Sequence, residues 1–207
     1  MNETTSAADA QRTAEMLVHV GRIARCEAQT PSLTPAQWSA LRFFAHANRM
    51  SRTPSAFARF HATTRGTASQ TVKSLETAGY LERRRADVDG RSVVFDLTPS
   101  GWAQLAADPL NTLSAAIEAL PPEQQHTLSE ALQQLAGALA QDRDGQAFGS
   151  CGECGFLGAA EQAGCPFQCR CTGTLLSDED FQRLCANFTP RATVETPAAT
   201  RPGTKDA

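Results

Sequence analysis

The sequence predicts a mainly α-helical protein with one small antiparallel β-hairpin and a cysteine-rich appendage. Three observations carry that reading. Between Arg52 and Gly101, two short helix patterns separated by a tight turn run directly into two strand patterns. On either side, residues 10–28 and 100–141 show helical periodicity with narrow apolar stripes. Beyond residue 150, six of the chain's seven cysteines fall between positions 151 and 185.

In the central stretch, Thr53-Pro54 opens the first short helix, with Thr as N-cap and Pro at the first helical position. Thr63 to Gly66 is the turn. A second helix runs to about Ala78, where Gly79 supplies a left-handed residue past its end. Leu81–Ala86 and Ser92–Leu97 are the strands, joined by the polar tip Asp87-Val88-Asp89-Gly90-Arg91, and Thr98-Pro99 caps the next helix. Helix, turn, helix and hairpin in this order make a winged helix-turn-helix, which lays its second helix in the major groove of DNA.

The second helix has the faces such a role needs. Ala68, Val72 and Leu75 share one side and should pack on the preceding helix through Phe57 and Phe60. The other side carries Thr67, Gln70, Lys73, Ser74 and Thr77: hydroxyls, an amide and a cation. Gln pairs bidentately with adenine, Lys donates to guanine or phosphate, and Ser and Thr serve either. A solvated polar face is the ordinary reading of such a helix. The basic hairpin directly after it favours DNA. The candidate contacts are Arg65, Thr67, Ser69, Gln70, Lys73 and Ser74 from the helix, with Arg83, Arg84, Asp89 and Arg91 from the wing. Asp89 is expected to orient Arg91 toward the minor groove or its phosphates. Net charge is −3, yet residues 41–95 hold 10 Lys/Arg against 4 Asp/Glu, and the remainder holds 9 against 18. A basic middle between acidic ends is the footprint of a nucleic-acid-binding module.

Three runs, LTPAQWSALRFF (33–44), TASQTVKSLETAGYLERR (67–84) and DGRSVVFDLTPSG (89–101), resemble the MarR family of bacterial winged-helix regulators over roughly residues 10–140. That resemblance implies a homodimer on pseudo-palindromic double-stranded DNA, expected to act as a repressor and to be released by a ligand or an oxidant. In the family a pocket beside the DNA-binding lobe holds small phenolic or lipophilic effectors. Arg42, His46 and His61 are candidates to line it, but surface polarity explains them more simply and no effector is assigned. Some relatives sense peroxide through a first-helix cysteine activated by tyrosines. Cys26 lacks such neighbours in a chain with one Tyr, so it reads as structural.

The remaining boundaries follow from periodicity and breakers. Residues 1–9 are expected to be disordered, and a first helix covers Ala10–Ala28. Thr34-Pro35-Ala36-Gln37 is a capping box opening a helix to about Ala47. The DNA-binding lobe spans about 34–99. Pro99–Ala119 is helical with a break at Pro109. Pro121-Pro122-Glu123 restarts a helix to Gln141, with a stripe of Leu128, Leu132, Leu135 and Leu139. Residues 10–28 and 100–141 are the expected dimer helices. Residues 142–150 read as a linker and 190–207 as a disordered tail. No segment is apolar enough for a signal or a membrane span, so a cytoplasmic location is expected.

Residues 151–189 form the cysteine-rich appendage. In a cytoplasmic setting such clustering points to metal binding, which would supply the folding free energy that so small a segment lacks. The frame CGECGF … CTGTLLSDEDFQRLCANF resembles small bacterial modules of form C-x₂-C-x₂-aromatic … C … C-x₂-Phe, and that resemblance implies Cys151, Cys154, Cys171 and Cys185 as ligands, with Cys165 and Cys169 as alternates. Zinc and an iron–sulfur cluster both remain open. The competing function is a redox or electron-transfer protein built on this module. The basic wing argues against it, since an electron carrier gains nothing from Arg83-Arg84-Arg85 beside Lys73. A metal enzyme is excluded more firmly, because an all-cysteine site leaves no open position for substrate.

Overall fold

The computed structural model describes residues 3–26, 33–85, 93–142, 148–160 and 166–191. The wing tip with Asp89 and Arg91, and Cys165, lie outside the described residues.

Local capping chemistry starts each helix of the central lobe. At α2 (Pro35–His46), Thr34 Oγ1 accepts from Gln37 N at 3.3 Å while Gln37 Oε1 accepts from Thr34 N at 2.7 Å, the reciprocal box expected from sequence. Thr53 caps α3 (Pro54–Phe60) and Thr64 caps α4 (Arg65–Thr77), each through a hydroxyl accepting the N–H three residues on. Ala68, Val72 and Leu75 are buried as the periodicity requires. They close on an aromatic core of Phe43, Phe44 and Phe57, with Phe44 meeting Phe95 edge-on at 6.0 Å. Each of these fully buried rings contributes about 1.5–3 kcal/mol by leaving water.

The wing is the antiparallel pair β1 (Leu81–Arg85) and β2 (Val93–Leu97), in register from Leu81 opposite Leu97 to Arg85 opposite Val93. Two glycines hold the junctions. Gly79 ends α4 at φ +76°, where a side chain would be strained. Gly101, in the first turn of α5 (Pro99–Ala106), faces Tyr80 so closely that a Cβ there would lie 2.2 Å from its carbonyl oxygen.

Four helices make up the rest of the body: α1 (Glu3–Cys26), α5, α6 (Leu110–Glu118) and α7 (Pro122–Asp142). The break at Pro109 occurs where expected. Asp108 there is buried, accepts Leu110 N at 2.8 Å and binds Arg42 with both oxygens. The first helix starts earlier than the sequence suggested, because Ala7, Ala8 and Ala10 favour helix. α1 packs against α6. Met16, Leu17, Val18 and Ile23 on α1, Trp102 on α5, and Leu132, Leu135 and Leu139 on α7 are left exposed. Among the described residues, no helix is long and apolar enough to cross a membrane.

The C-terminal module departs most from expectation. Gly149 and Ser150, read as linker, form β3 and pair with β7 (Leu184–Cys185). A second sheet joins β4 (Leu157–Ala159), β5 (Phe167–Cys169) and β6 (Leu175–Leu176), followed by the short α8 (Asp178–Phe181). Pro190 and Arg191, assigned to the tail, belong to the module: Pro190 bridges Cys154, and Arg191 donates to Gly152 O at 2.6 Å. Nor does the module hang from the end of α7. It docks on the connector between α2 and α3, where Asn48 N donates to Leu184 O at 2.8 Å and Ala186 N donates to Ser51 Oγ at 2.8 Å.

Candidate nucleic-acid interface and thiol cluster

The outer face of α4 is open along its length. Arg65, Thr67, Ser69, Gln70, Lys73 and Ser74 are all exposed. Thr67 shares a hydroxyl contact with Thr64 at 2.9 Å, and Ser74 Oγ accepts from Gln37 Nε2 at 2.9 Å. These bonds orient two of the candidates and tie α4 to α2. Beside the α3–α4 turn lies an open depression lined by Ser55, Ala58, Arg59, Thr63 and Arg65.

Arg83 and Arg84 are exposed on β1 but face opposite sides of the ribbon. Arg83 lies opposite Phe95. Arg84 Nη1 donates to Asp96 Oδ2 at 2.9 Å, and Asp96 also binds Arg52. Glu82 stands directly across from Asp96, so the two arginines offset a like-charge pair. Arg52 extends this link to the body, since its Nε donates to Ala47 O at 3.1 Å and its carbonyl accepts Phe95 N at 2.8 Å. The wing strands are thereby fastened to the α2–α3 connector. Sequence reasoning did not find Arg52 in this role, because its partner Asp96 lies 44 residues away. Its one visible signal was membership of the basic middle.

The proposed effector-pocket residues are engaged elsewhere. Arg42 holds Asp108 and lies over the Trp38 ring at 5.9 Å, and His61 stacks on Phe57 and meets Ser39 Oγ at 3.1 Å. Partial burial and then Arg183 lower the His46 pKa, against a smaller opposing effect of Asp108.

In the module, Cys151, Cys154, Cys169 and Cys185 are buried and Cys171 is exposed; all five are free thiols. Asn48 Nδ2 donates to Cys151 Sγ at 3.5 Å, and Asn187 N donates to Cys185 Sγ at 3.4 Å. The Cys151 thiol donates toward Cys185, which brings the Cys185 pKa down to about 6 against the opposing effect of burial. The same bond, followed by burial, pushes Cys151 up. Partial burial and then the neighbouring thiols Cys169, Cys185 and Cys154 raise Cys171. Among the described residues, no three His, Cys, Asp or Glu side chains stand together as a ready ligand set.

A capped helix pair whose second helix presents an exposed polar face, continued by a basic two-stranded hairpin, is a winged helix-turn-helix. Residues 32–92 match the model of the MarR family. The match spans under a third of the chain. Among solved structures, the chain is similar to a protein of unknown function from Listeria innocua Clip11262, at 14% identity over 67% of this chain and 99% of that one, with a TM-score of 0.50. It is also similar to a MarR family protein from Bacillus stearothermophilus, at 17% identity over 68% and 99%, with a TM-score of 0.49. A third is Streptococcus pneumoniae FabT in complex with DNA, at 20% identity over 64% and 98%, with a TM-score of 0.48. Identities this low speak to fold alone. No curated protein matches the chain.

Proposed function

We propose that this protein is a sequence-specific DNA-binding transcriptional regulator of MarR type, acting as a homodimeric repressor on pseudo-palindromic DNA. The observation that carries this reading is the exposed row on α4, from Arg65 to Ser74, beside a wing strand bearing Arg83 and Arg84. In this reading Gln70 and Lys73 address base edges, while Arg65 and the wing hold phosphates. The exposed apolar residues of α1 and α7 supply the dimer contact, because single-domain reading covers too few base pairs for selectivity. A repressor needs only to occupy its site, and no catalytic step is assigned. The cysteine module modulates binding from its seat on the α2–α3 connector. Selection of duplexes from a random pool by the full-length protein tests the reading. An enriched site with two-fold symmetry is expected, and a pool without enrichment refutes it.

A further inference from the structure

Among the described residues, four of the buried side chains of the C-terminal module are thiols: Cys151, Cys169 and Cys185 cluster with Leu176 against the partly buried Met50, Phe156, Leu157, Phe167 and Phe188, and Cys154 is buried as well. No strand here exceeds three residues and its α-helix has four. Segments this small seldom hold together on apolar burial alone and are usually stapled by metal or disulfides. We propose that Cys151, Cys154, Cys169 and Cys185 are the ligands of a four-thiolate metal site that takes a soft metal, as zinc or as an iron–sulfur cluster.

The backbone presents these four sulfurs as paired turns and adjoining strands. Cys151 and Cys154 bracket a tight turn closed by Cys154 N donating to Cys151 O at 3.2 Å. Cys169 begins a second tight turn, where its carbonyl accepts Gly173 N at 2.8 Å and its N–H donates to Thr174 O at 2.8 Å, with Gly173 at φ +71°. Cys185 lies on β7, paired with the β3 strand that leads into Cys151. Two of the four sulfurs already accept N–H bonds, from Asn48 and Asn187, the outer support that a ligating thiolate needs. Arg191 donates to the Gly152 carbonyl inside the first turn at 2.6 Å and so ties the end of the module to it.

This set differs from the one that spacing suggested. Cys169 ends β5 and is buried, whereas Cys171 lies in the turn beyond the strand and is exposed. Among the described residues the four do not stand as a ready ligand set, although Cys151, Cys169 and Cys185 share one buried cluster. They close on an ion as their protons leave. Because Asn48 and Ser51 join the module to the α2–α3 connector, loading the site also sets how firmly that connector supports the helix-turn-helix. This last consequence rests on the DNA-binding reading; the site itself does not.

The test is metal analysis and a visible spectrum of the full-length protein purified without oxygen. About one zinc per chain, or about two to four irons with matching sulfide and a visible absorption band, is expected. Cys169→Ser should lose the metal and Cys171→Ser should keep it. If Cys169→Ser does not fold, the wild type still decides the matter, because alkylating exposed Cys171 should leave the metal bound. A wild-type protein that stays metal-free after exposure to zinc, and to iron with sulfide, overturns the proposal. So does metal loss on Cys171 alkylation, or on Cys171→Ser with Cys169→Ser still loaded. Binding to a selected duplex before and after chelation then reads the coupling. A measurable change in affinity supports it, and equal affinities overturn it while leaving the site intact. Metal present with no duplex bound by either form rejects the DNA-binding reading instead.

Discussion

The side-chain amide of Asn48 reaches across 103 positions of sequence to donate to Cys151 Sγ at 3.5 Å. The same residue's Oδ1 accepts Ser51 N at 2.9 Å, and its side chain has no solvent exposure. One buried amide therefore fastens the thiol module to the connector that leads into the helix-turn-helix. Asn48→Ala removes both side-chain bonds, while Ser51 N keeps the carbonyl of residue 48 at 2.9 Å, and should cost about 1–3 kcal/mol, read as a lower urea midpoint. An unchanged midpoint would mean that the docking is energetically idle.

On the proposed reading, α4 divides into base-reading and phosphate-holding positions. Gln70→Ala should relax preference at one base pair of each half-site, by about 1–3 kcal/mol between cognate and altered duplexes. Arg65→Ala should weaken all duplexes alike and lower the salt slope by about 1. Anisotropy titrations on a small duplex panel check both, and equal loss for every sequence in the Gln70 variant would remove that residue from base reading.

Gly101 explains a motif that sequence alone left unexplained. Thr98 Oγ1 donates to Gly79 O at 2.6 Å and accepts Gly101 N at 3.1 Å, which presses the first turn of α5 onto Tyr80. With 2.2 Å between a built Cβ and the Tyr80 carbonyl, Gly101→Ala should destabilise by about 1–3 kcal/mol through forced backbone shifts. Thermal melts decide it, and a melting temperature within a degree of wild type would contradict the close approach.

The lobe was legible because its instructions are local. Thr34, Thr53, Thr64 and Thr98 cap the helices that follow them, and Ala68, Val72 and Leu75 report burial through spacing alone. What escaped depends on contacts distant in sequence. Asn48 and Ser51 belong to no pattern in the sequence, and their partners lie at residues 184–186. The bond between Arg52 and Asp96 spans 44 positions and leaves no periodic trace. Cys169 and Cys171 are indistinguishable by spacing, and only the end of β5 at Cys169 separates the buried thiol from the exposed one in the turn.

The apolar stripe on α7 makes a separate claim. Leu135 is exposed at 49% and Leu139 at 60%, on a helix whose neighbours in the chain do not cover them. A Leu135→Arg substitution should convert dimer to monomer at micromolar concentration in sedimentation, with the monomer's own melting cooperative. A wild-type protein that sediments as a monomer would remove the dimer from the account.

DNA recognition by the full-length protein is the central claim, and its most direct measurement is a titration of a selected palindromic duplex and a scrambled one at several salt concentrations. The account predicts at least about 10³-fold tighter binding to the selected duplex. It also predicts that log affinity falls linearly with log salt, as phosphate contacts release counterions. Equal affinity for the two duplexes, or binding insensitive to salt, would contradict it.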